Sequence, residues 1–267
     1  AFNSDGFTLG TGSNVNRASH TNVAWNWKAG GSASSNSNGT ITSSVSANTD
    51  AGFSIGTYNG SGSDNTVGHG LGVAPDMIIV KCKSTAHDWV VYHSALGNAK
   101  ILTLNATTAA QSAGGWQNTS PTSTVFSIDN AANSLNQSGQ SFVFYAMASK
   151  KGYSKISSFV GNGNASGTYV HLGFSPSFVL YKVSSAASDW YIQDNKRLTY
   201  NVNNTRLEAN NSDTEVTGAA DSIDMLSNGF KLRHTSSSFN ASGATYIYMA
   251  FAENPFTTST GVPATAR

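Results

Sequence analysis

The stretch Leu71-Gly-Val-Ala-Pro-Asp-Met-Ile-Ile-Val-Lys81 decides the fold, because the chain contains it twice. Its second copy, shifted by 101 residues, reads Leu172-Gly-Phe-Ser-Pro-Ser-Phe-Val-Leu-Tyr-Lys182. In each copy an apolar run follows Gly and Pro, which is the pattern of a β-strand buried on both faces. The same register extends from Gly60 and Gly161 to Trp89 and Trp190, with ten identities and no gap. The chain therefore contains a duplicated unit of roughly 100 residues, the size of a small β domain.

The boundaries of the two units follow from the repeat. Phe142-Val-Phe-Tyr-Ala-Met147 closes the first unit and Tyr246-Ile-Tyr-Met-Ala-Phe251 the second, which places the units at 52–150 and 151–256. A partial third copy, Val23-Ala-Trp25-Asn-Trp27, predicts that residues 1–28 form the closing β-hairpin of a preceding or shared unit. An isolated hairpin is marginally stable, so we expect it to pack on a neighbouring unit. The remaining segments are expected to be a Ser/Asn/Gly-rich linker at 29–51 and a loose tail at 257–267.

The composition favours strands over helices. Charged residues make up 11% of the chain, and Ser, Thr, Asn and Gly take their place. These residues disfavour helix interiors because they compete for backbone hydrogen bonds or leave the backbone too free, whereas the 10% aromatic share suits strands. No window carries a clear 3.6-residue apolar period. We therefore expect an all-β chain of tandem antiparallel β-sandwich units, lectin-like or jelly-roll-like, with an N-terminal β-hairpin.

The charge and cysteine counts argue against several partners and cofactors. The 15 Lys and Arg residues nearly balance the 14 Asp and Glu residues, so no basic field exists to attract nucleic acid. No apolar stretch reaches 18 residues, so we expect no membrane insertion. The single cysteine, Cys82, excludes an intrachain disulfide. His87 and His93 lack the spacing of a metal motif, and we expect neither a metal nor another cofactor.

Catalytic patterns are weak. Gly52-Phe-Ser54-Ile-Gly56 matches the nucleophile turn of serine hydrolases, but the Gly-rich residues after it cannot start the helix that this turn requires. A glycoside-cleaving enzyme needs two carboxylates that act together. The candidates are Asp76 with Asp88, or a cluster of Asp213, Glu215, Asp221 and Asp224. We therefore expect no catalytic residues, and polysaccharide cleavage stays the less favoured alternative.

The sequence favours a binding site for a neutral ligand over a catalytic site. Exposed aromatic rings flanked by amides and carboxylates suit sugars, whereas Trp89 and Trp190 recur in both units and are expected to be core residues. The best ligand candidates are then residues of the first unit that the second lacks. These are Trp116, Tyr92 and His93, with Asp88 as a hydroxyl acceptor.

Six further segments have a distinctive composition of glycine, proline and aromatic residues: Val23-Ala-Trp25-Asn-Trp27-Lys-Ala-Gly-Gly31, Ile41-Thr-Ser-Ser-Val45-Ser-Ala-Asn48, Gly68-His-Gly-Leu-Gly72-Val-Ala-Pro75, Asp88-Trp89-Val-Val-Tyr-His93, Leu226-Ser-Asn-Gly-Phe230-Lys-Leu232 and Tyr248-Met-Ala-Phe-Ala-Glu-Asn-Pro255. With these segments the chain resembles a domain family repeated in tail-associated and other structural proteins of tailed bacteriophages, many from marine hosts. The resemblance extends over nearly the whole chain, and the second unit is less typical than the first. Its motifs are structural glycines, prolines and aromatics, so they identify a scaffold and supply no catalytic residues.

The resemblance implies a non-enzymatic virion structural protein, a tail fibre or surface appendage that contacts host-surface glycans. It places the protein on the virion surface or tail, with other virion subunits and further copies of itself as partners. Two alternatives stay open: a free bacterial carbohydrate-binding module or adhesin, and a polysaccharide depolymerase. Co-purification with particles separates the first from the leading function, and a carboxylate pair in an open cleft would favour the second.

Overall fold

A computed structural model describes residues 3, 6–112, 114–130, 133–218 and 222–255. The regular secondary structure is almost entirely β, with 38% of the residues in strands and 4% in helices, which confirms the expected all-β class. The strands are β1 (Ser34–Asn36), β2 (Ser43–Asn48), β3 (Phe53–Asn59), β4 (Asn65–Gly68), β5 (Met77–Cys82), β6 (Val90–His93), β7 (Leu102–Thr103), β8 (Val125–Ile128), β9 (Ser141–Met147), β10 (Ser154–Val160), β11 (Tyr169–His171), β12 (Pro176–Val183), β13 (Tyr191–Asp194), β14 (Thr205–Glu208), β15 (Val216–Thr217), β16 (Ile223–Leu226), β17 (Gly229–Leu232) and β18 (Thr245–Ala252). Short helices are α1 (Asn133–Asn136), α2 (Ser237–Asn240) and a 3₁₀ turn at Ser94–Leu96.

The two units share one topology. The large sheet of unit 1 has the order β1-β2-β3-β9-β5-β6-β7, and that of unit 2 has the order β10-β18-β12-β13-β14-β15. The shared core order β3-β9-β5-β6-β7 therefore matches β10-β18-β12-β13-β14. Each large sheet is accompanied by a small one, β4-β8 in unit 1 and β11-β17-β16 in unit 2. The repeat read from the sequence is thus a repeat of sheet topology.

The sheets stack so that the central strands are buried on both faces. In β5, Ile78 and Val80 belong to the core cluster of unit 1, whereas Met77 and Ile79 belong to a cluster shared with unit 2. The strand β12 alternates in the same way between its own core and the shared cluster. Since side chains alternate across a strand, each apolar run supplies both faces at once. The expectation of doubly buried strands at both copies is confirmed.

A repeated asparagine joins the loop after β3 to α1 in unit 1, and the loop after β10 to α2 in unit 2. The Asn136 carboxamide Oδ1 accepts the Ser61 N–H at 2.9 Å, and the Asn240 Oδ1 accepts the Asn162 N–H at 3.0 Å. Both asparagines are fully buried, so each amide replaces water for backbone groups that would otherwise be unsatisfied. The two residues lie 104 positions apart, and gaps in the repeat hide their correspondence in the sequence.

Two expected boundaries are wrong. The segment 29–51 is not a linker, because it contains β1 and β2 and β2 pairs with β3 in the large sheet of unit 1. The described part of residues 1–28 contains no strand, so the expected hairpin is not formed there, and β1 is the first strand. The expected tail at 257–267 lies outside the described residues. No helix among the described residues is long and apolar enough to cross a membrane.

The N-terminal segment is nevertheless packed. Burial alternates along residues 23–29, with both tryptophans facing inward. The Trp25 ring lies 5.6 Å from the Phe178 ring, and the Trp27 ring lies 5.5 Å from Phe178 and 5.4 Å from Phe251, all edge-on. On the other side, Asn48 donates to the Lys28 carbonyl at 3.1 Å. The segment therefore packs on unit 2 as an extended chain, as its apolar content requires.

Candidate functional site

Three of the four residues expected to bind a ligand are buried. Trp116, Tyr92 and His93 are 1%, 4% and 1% exposed. The Trp116 ring meets the Tyr92 ring edge-on at 5.7 Å and the Phe126 ring at 6.4 Å, inside the core of unit 1. The expectation that these side chains face a sugar is corrected, because the aromatic area that suits a sugar also drives burial.

His93 and its counterpart in unit 2 have the same structural task. The His93 Nδ1 accepts the Ala95 N–H at 3.2 Å and so caps the 3₁₀ turn, while its Nε2 lies 3.4 Å from the Tyr248 carbonyl. Asp194 accepts the N–H groups of Lys196 and Arg197, each at 2.9 Å. Burial removes water from the imidazolium and lowers the pKa of His93 to about 4. A neutral, enclosed imidazole stabilises the loop and is closed to ligands.

Asp88, the fourth candidate, is exposed but belongs to a repeated clamp. Its Oδ1 accepts the Asn105 amide at 3.0 Å, and the Asn105 Oδ1 accepts the Trp89 N–H at 2.8 Å. The same two bonds, at 2.8 and 2.7 Å, join Asp189, Asn210 and Trp190. A group that both units use in the same way is a structural element, so Asp88 orients the chain before β6.

The catalytic patterns do not assemble into a site. Ser54 lies within the strand β3 and is fully buried, so its Gly-rich pattern is not a strand-to-helix turn. Two of the expected carboxylates bind separate partners: Asp76 accepts the Ser149 N–H at 2.9 Å, and Asp224 pairs with Arg233 at 3.3 Å. Asp221 lies outside the described residues. Across the described ranges no three His, Cys, Asp or Glu side chains form a metal-binding group.

A concave site with an exposed aromatic ring lies in unit 2, on the loop between β13 and β14. This cavity, the Tyr200 pocket, measures about 230 Å³. Its lining residues are Ser175, Asn195, Lys196, Leu198, Thr199, Tyr200, Asn201, Met225 and Glu253. The repeat offset rises from 101 at Asp194 to 105 at Leu207, whose pairing with Ile192 matches that of Leu102 with Val91. The loop is therefore four residues longer than its counterpart in unit 1, and the pocket lies on this insertion.

The loop is held at both ends. At its start, the Arg197 guanidinium binds the buried Asp194 carboxylate at 2.7 Å. At its end, the Asn201 side chain donates to the Met225 carbonyl at 2.8 Å and accepts the Met225 N–H at 2.9 Å. Asn203, also buried, donates to the Asp194 carbonyl at 2.8 Å. Such anchoring lowers the conformational entropy that ligand binding would otherwise cost.

The pocket combines one aromatic face with polar groups. Tyr200 is 70% exposed, so most of its ring is accessible to a ligand. The Asn195 Oδ1 is buried with no hydrogen-bond partner in the described part of the chain. Lys196 and Glu253 form an ion pair at 3.1 Å, which leaves the local charge near zero. These groups can stack on an apolar ring face and exchange hydrogen bonds with hydroxyls.

A second concavity of about 280 Å³ lies on the large sheet of unit 1. Its lining is mostly hydroxyl-bearing, and its aromatic residue, Tyr58, is buried in the core. It therefore lacks the exposed ring that distinguishes the Tyr200 pocket.

Sequence reasoning missed the Tyr200 pocket because it searched for residues that only unit 1 carries. Residues that only one unit carries are suitable ligand candidates, but the loop that has no equal in the other unit and carries an accessible ring belongs to unit 2. The signal was present in the four-residue insertion after Asp194, which a gapped comparison of the two units would have revealed.

Comparison with known proteins gives one match. The sequence model of a family described as "Domain of unknown function (DUF7483)" matches residues 1–255. The chain belongs to this family. The DUF7483 match includes the N-terminal segment together with both units, which agrees with the packing of Trp25 and Trp27 on unit 2. No curated protein and no solved structure matches the chain.

Proposed function

We propose that this protein is a non-enzymatic structural component of a virion, a tail fibre or surface appendage, that binds host-surface glycans through the Tyr200 pocket. The observation that carries the glycan-binding part is the 70% exposed Tyr200 ring on a loop anchored at both ends. The phage location rests on the resemblance of the repeated motifs to tail-associated proteins.

The chemistry of the pocket favours a neutral sugar. A sugar ring offers an apolar C–H face, which stacks on Tyr200, and hydroxyl edges, which suit Asn195 and the ion pair of Lys196 with Glu253. The balanced charges of the chain provide no long-range attraction for a charged ligand. Single-site affinity is weak for a pocket this small, and several copies on one appendage raise it by avidity.

The pocket gives less support to polysaccharide cleavage. The known two-carboxylate mechanisms need an acid and a second carboxylate on either side of the scissile bond. Glu253 is the single carboxylate among the described lining residues, and it is paired with Lys196. A free bacterial adhesin would use the same pocket. Detection of the chain in purified particles would distinguish the virion protein from this alternative.

The test is a glycan array and a host-cell adsorption assay with Tyr200→Ala and Tyr200→Phe. We expect Tyr200→Ala to abolish binding and Tyr200→Phe to retain most of it, since the ring face is kept. The matched control is Tyr169→Ala, because Tyr169 is another exposed tyrosine of unit 2 outside the pocket lining. Undiminished binding by Tyr200→Ala, with the melting temperature unchanged, would refute the proposed site.

A further inference from the structure

The interface between the two units contains a specific set of backbone acceptors. A segment of unit 1, residues 103–110, lies against the β12–β13 corner of unit 2. The buried Lys182 ammonium donates to the Thr107 carbonyl at 3.0 Å, and the Trp190 indole donates to the Thr103 carbonyl at 2.9 Å. The Ser188 N–H also donates to the Thr107 carbonyl, at 2.8 Å. Three donors of unit 2 thus bind two backbone carbonyls of unit 1, and the residues that carry these carbonyls are four positions apart.

Unit 1 presents the same donors, and no segment in the described part of the chain offers carbonyls to them as residues 103–110 do in unit 2. Lys81, His87 and Trp89 are the counterparts of Lys182, Ser188 and Trp190 and are only half-buried. The Lys81 ammonium donates to the His87 carbonyl, as Lys182 does to the Ser188 carbonyl. Within the described ranges the Trp89 indole N–H has no hydrogen-bond partner, and its ring stacks on Tyr145 at 6.4 Å. We call this corner, formed by Lys81, Lys83, His87, Trp89 and Tyr145, the Trp89 surface.

The chain also contains a counterpart of the covering segment. Leu104 donates its N–H to the Trp89 carbonyl and Ala209 to the Trp190 carbonyl, both at 2.9 Å, so residues 208–215 of unit 2 correspond to 103–110 of unit 1. Residues 211–215 are exposed. The exposed 208–215 segment of unit 2 and the Trp89 surface of unit 1 therefore correspond to the two surfaces that bind each other between the units of one chain.

The charges of the two halves are complementary. The Trp89 surface carries Lys81 and Lys83, and the 208–215 segment reads Glu-Ala-Asn-Asn-Ser-Asp-Thr-Glu. Two of its acids pair within unit 2, Glu208 with Arg206 and Glu215 with Arg197. Asp213 has no ion-pair partner in the described part of the chain and is exposed, as is Lys83. Opposite charges of this kind set the register of an interface more than its affinity.

We propose that the Trp89 surface of one copy binds the 208–215 segment of a second copy. The Trp89 indole and the Lys81 ammonium receive backbone carbonyls of that segment, and Lys83 lies against Asp213. The two partners are different surfaces of the same chain, so the contact is heterologous and each bound copy still offers one free half. Copies therefore add head to tail, which suits an elongated appendage.

The experiment is sedimentation velocity of the intact chain over a range of protein and salt concentrations. We expect dimers and longer species that grow with protein concentration and shrink as salt screens the charges. Lys83→Glu and Asp213→Lys each place like charges in contact and should leave the protein monomeric at concentrations where the wild type associates. Lys151→Glu, another exposed lysine, is the control and should associate normally.

Mixing the two variants tests the pairing of the two surfaces. Each contact between the variants joins opposite charges, the native Lys83 with the native Asp213 and the two reversed charges with each other, so an equimolar mixture should recover the dimers and longer species that neither variant forms alone. The double variant should associate again because the charges are exchanged. A monomeric wild type at every concentration, or association that ignores both charge reversals, would overturn the proposal. Glycan binding by the monomer is a separate measurement and is unaffected by either result.

Discussion

Unit 1 and unit 2 have the same strand order, yet they protect the same sheet edge in different ways. In unit 1, β2 pairs with β3 from Ser44 opposite Thr57 to Asn48 opposite Phe53. In unit 2 the counterpart β10 is the edge strand, and local side chains replace the missing strand. The Ser149 Oγ accepts the Ile156 N–H at 3.0 Å.

The other end of β10 is satisfied in a similar manner. The Thr168 Oγ1 donates to the Val160 carbonyl at 2.8 Å, and at the first end Lys150 also forms a bridge with Ser154. An exposed edge with unpaired backbone groups invites association with other strands, and these contacts blunt it. The packing of the core is therefore shared by the two units, whereas different residues satisfy the backbone groups at the sheet edge of each unit.

The periphery also decides which repeated residues are buried. Trp190 is 1% exposed because unit 1 covers it, whereas Trp89 is only half-buried. Lys182 is fully buried beside Trp190, and desolvation lowers its pKa to about 8. Identical residues in one fold thus have different energetic roles, and substitutions at matched positions measure the difference.

The largest expected difference is between Trp190→Ala and Trp89→Ala. Trp190→Ala removes a fully buried ring and its indole bond to Thr103, and should destabilise the protein by about 3–5 kcal/mol. Trp89→Ala removes a half-buried ring and should cost about half as much. Denaturant unfolding at low protein concentration, where association plays no part, measures both. Equal losses would mean that the two units bury this tryptophan equally in solution.

An intermediate effect is expected from His93, which stands where unit 2 has Asp194. The folded-state pKa of His93 is about 4, below its unfolded value of about 6.5, so the unfolded chain binds more protons between these values. Stability contributed by the neutral imidazole is complete above pH 6.5 and is lost as the pH falls towards 4. The loss by pH 4.5 is on the order of 2 kcal/mol.

The variant His93→Asn isolates this contribution. An asparagine Oδ1 can still accept the Ala95 N–H but does not titrate, so the variant should lose less stability than the wild type between pH 7 and pH 4.5. Melting temperatures at the two pH values give the comparison, and the difference cancels the shared effect of the carboxylates. Parallel pH profiles for the two proteins would show that His93 becomes protonated in the folded state.

The sequence predicted the parts of the fold that depend on apolar periodicity. The runs at Met77 and Phe178 supply both faces of their strands, and Leu71 and Leu172 occupy equivalent core clusters. It failed where small polar residues enter a strand. Ser43 donates to the Gly68 carbonyl at 2.7 Å and is buried, so a serine-rich segment that composition assigns to a linker forms a strand of the sheet.

The candidate site was less predictable than the fold. A tryptophan in a polar segment is equally compatible with a ligand platform and with a core anchor, and Trp116 proved to be the anchor. The buried Trp116 is followed directly by a turn in which Gln117 and Asn118 adopt positive φ values of 52° and 48°. Such backbone conformations are uncommon for non-glycine residues and leave no clear signal in the sequence. Tyr200, in contrast, was identifiable only after the four-residue insertion had been placed.

The smallest expected effect on stability belongs to Tyr200 itself, and it separates the site from the scaffold. Because the side chain is 70% exposed, Tyr200→Ala should change the free energy of unfolding by less than about 0.5 kcal/mol. Asn201→Ala removes two hydrogen bonds to the Met225 backbone and should cost about 1–3 kcal/mol. Both variants should bind glycan poorly, but for different reasons: one lacks the ring, and the other holds it in an unfixed loop. If Tyr200→Ala were the more destabilising of the two in denaturant unfolding, the ring would be part of the core, and the pocket would lose its basis as a ligand site.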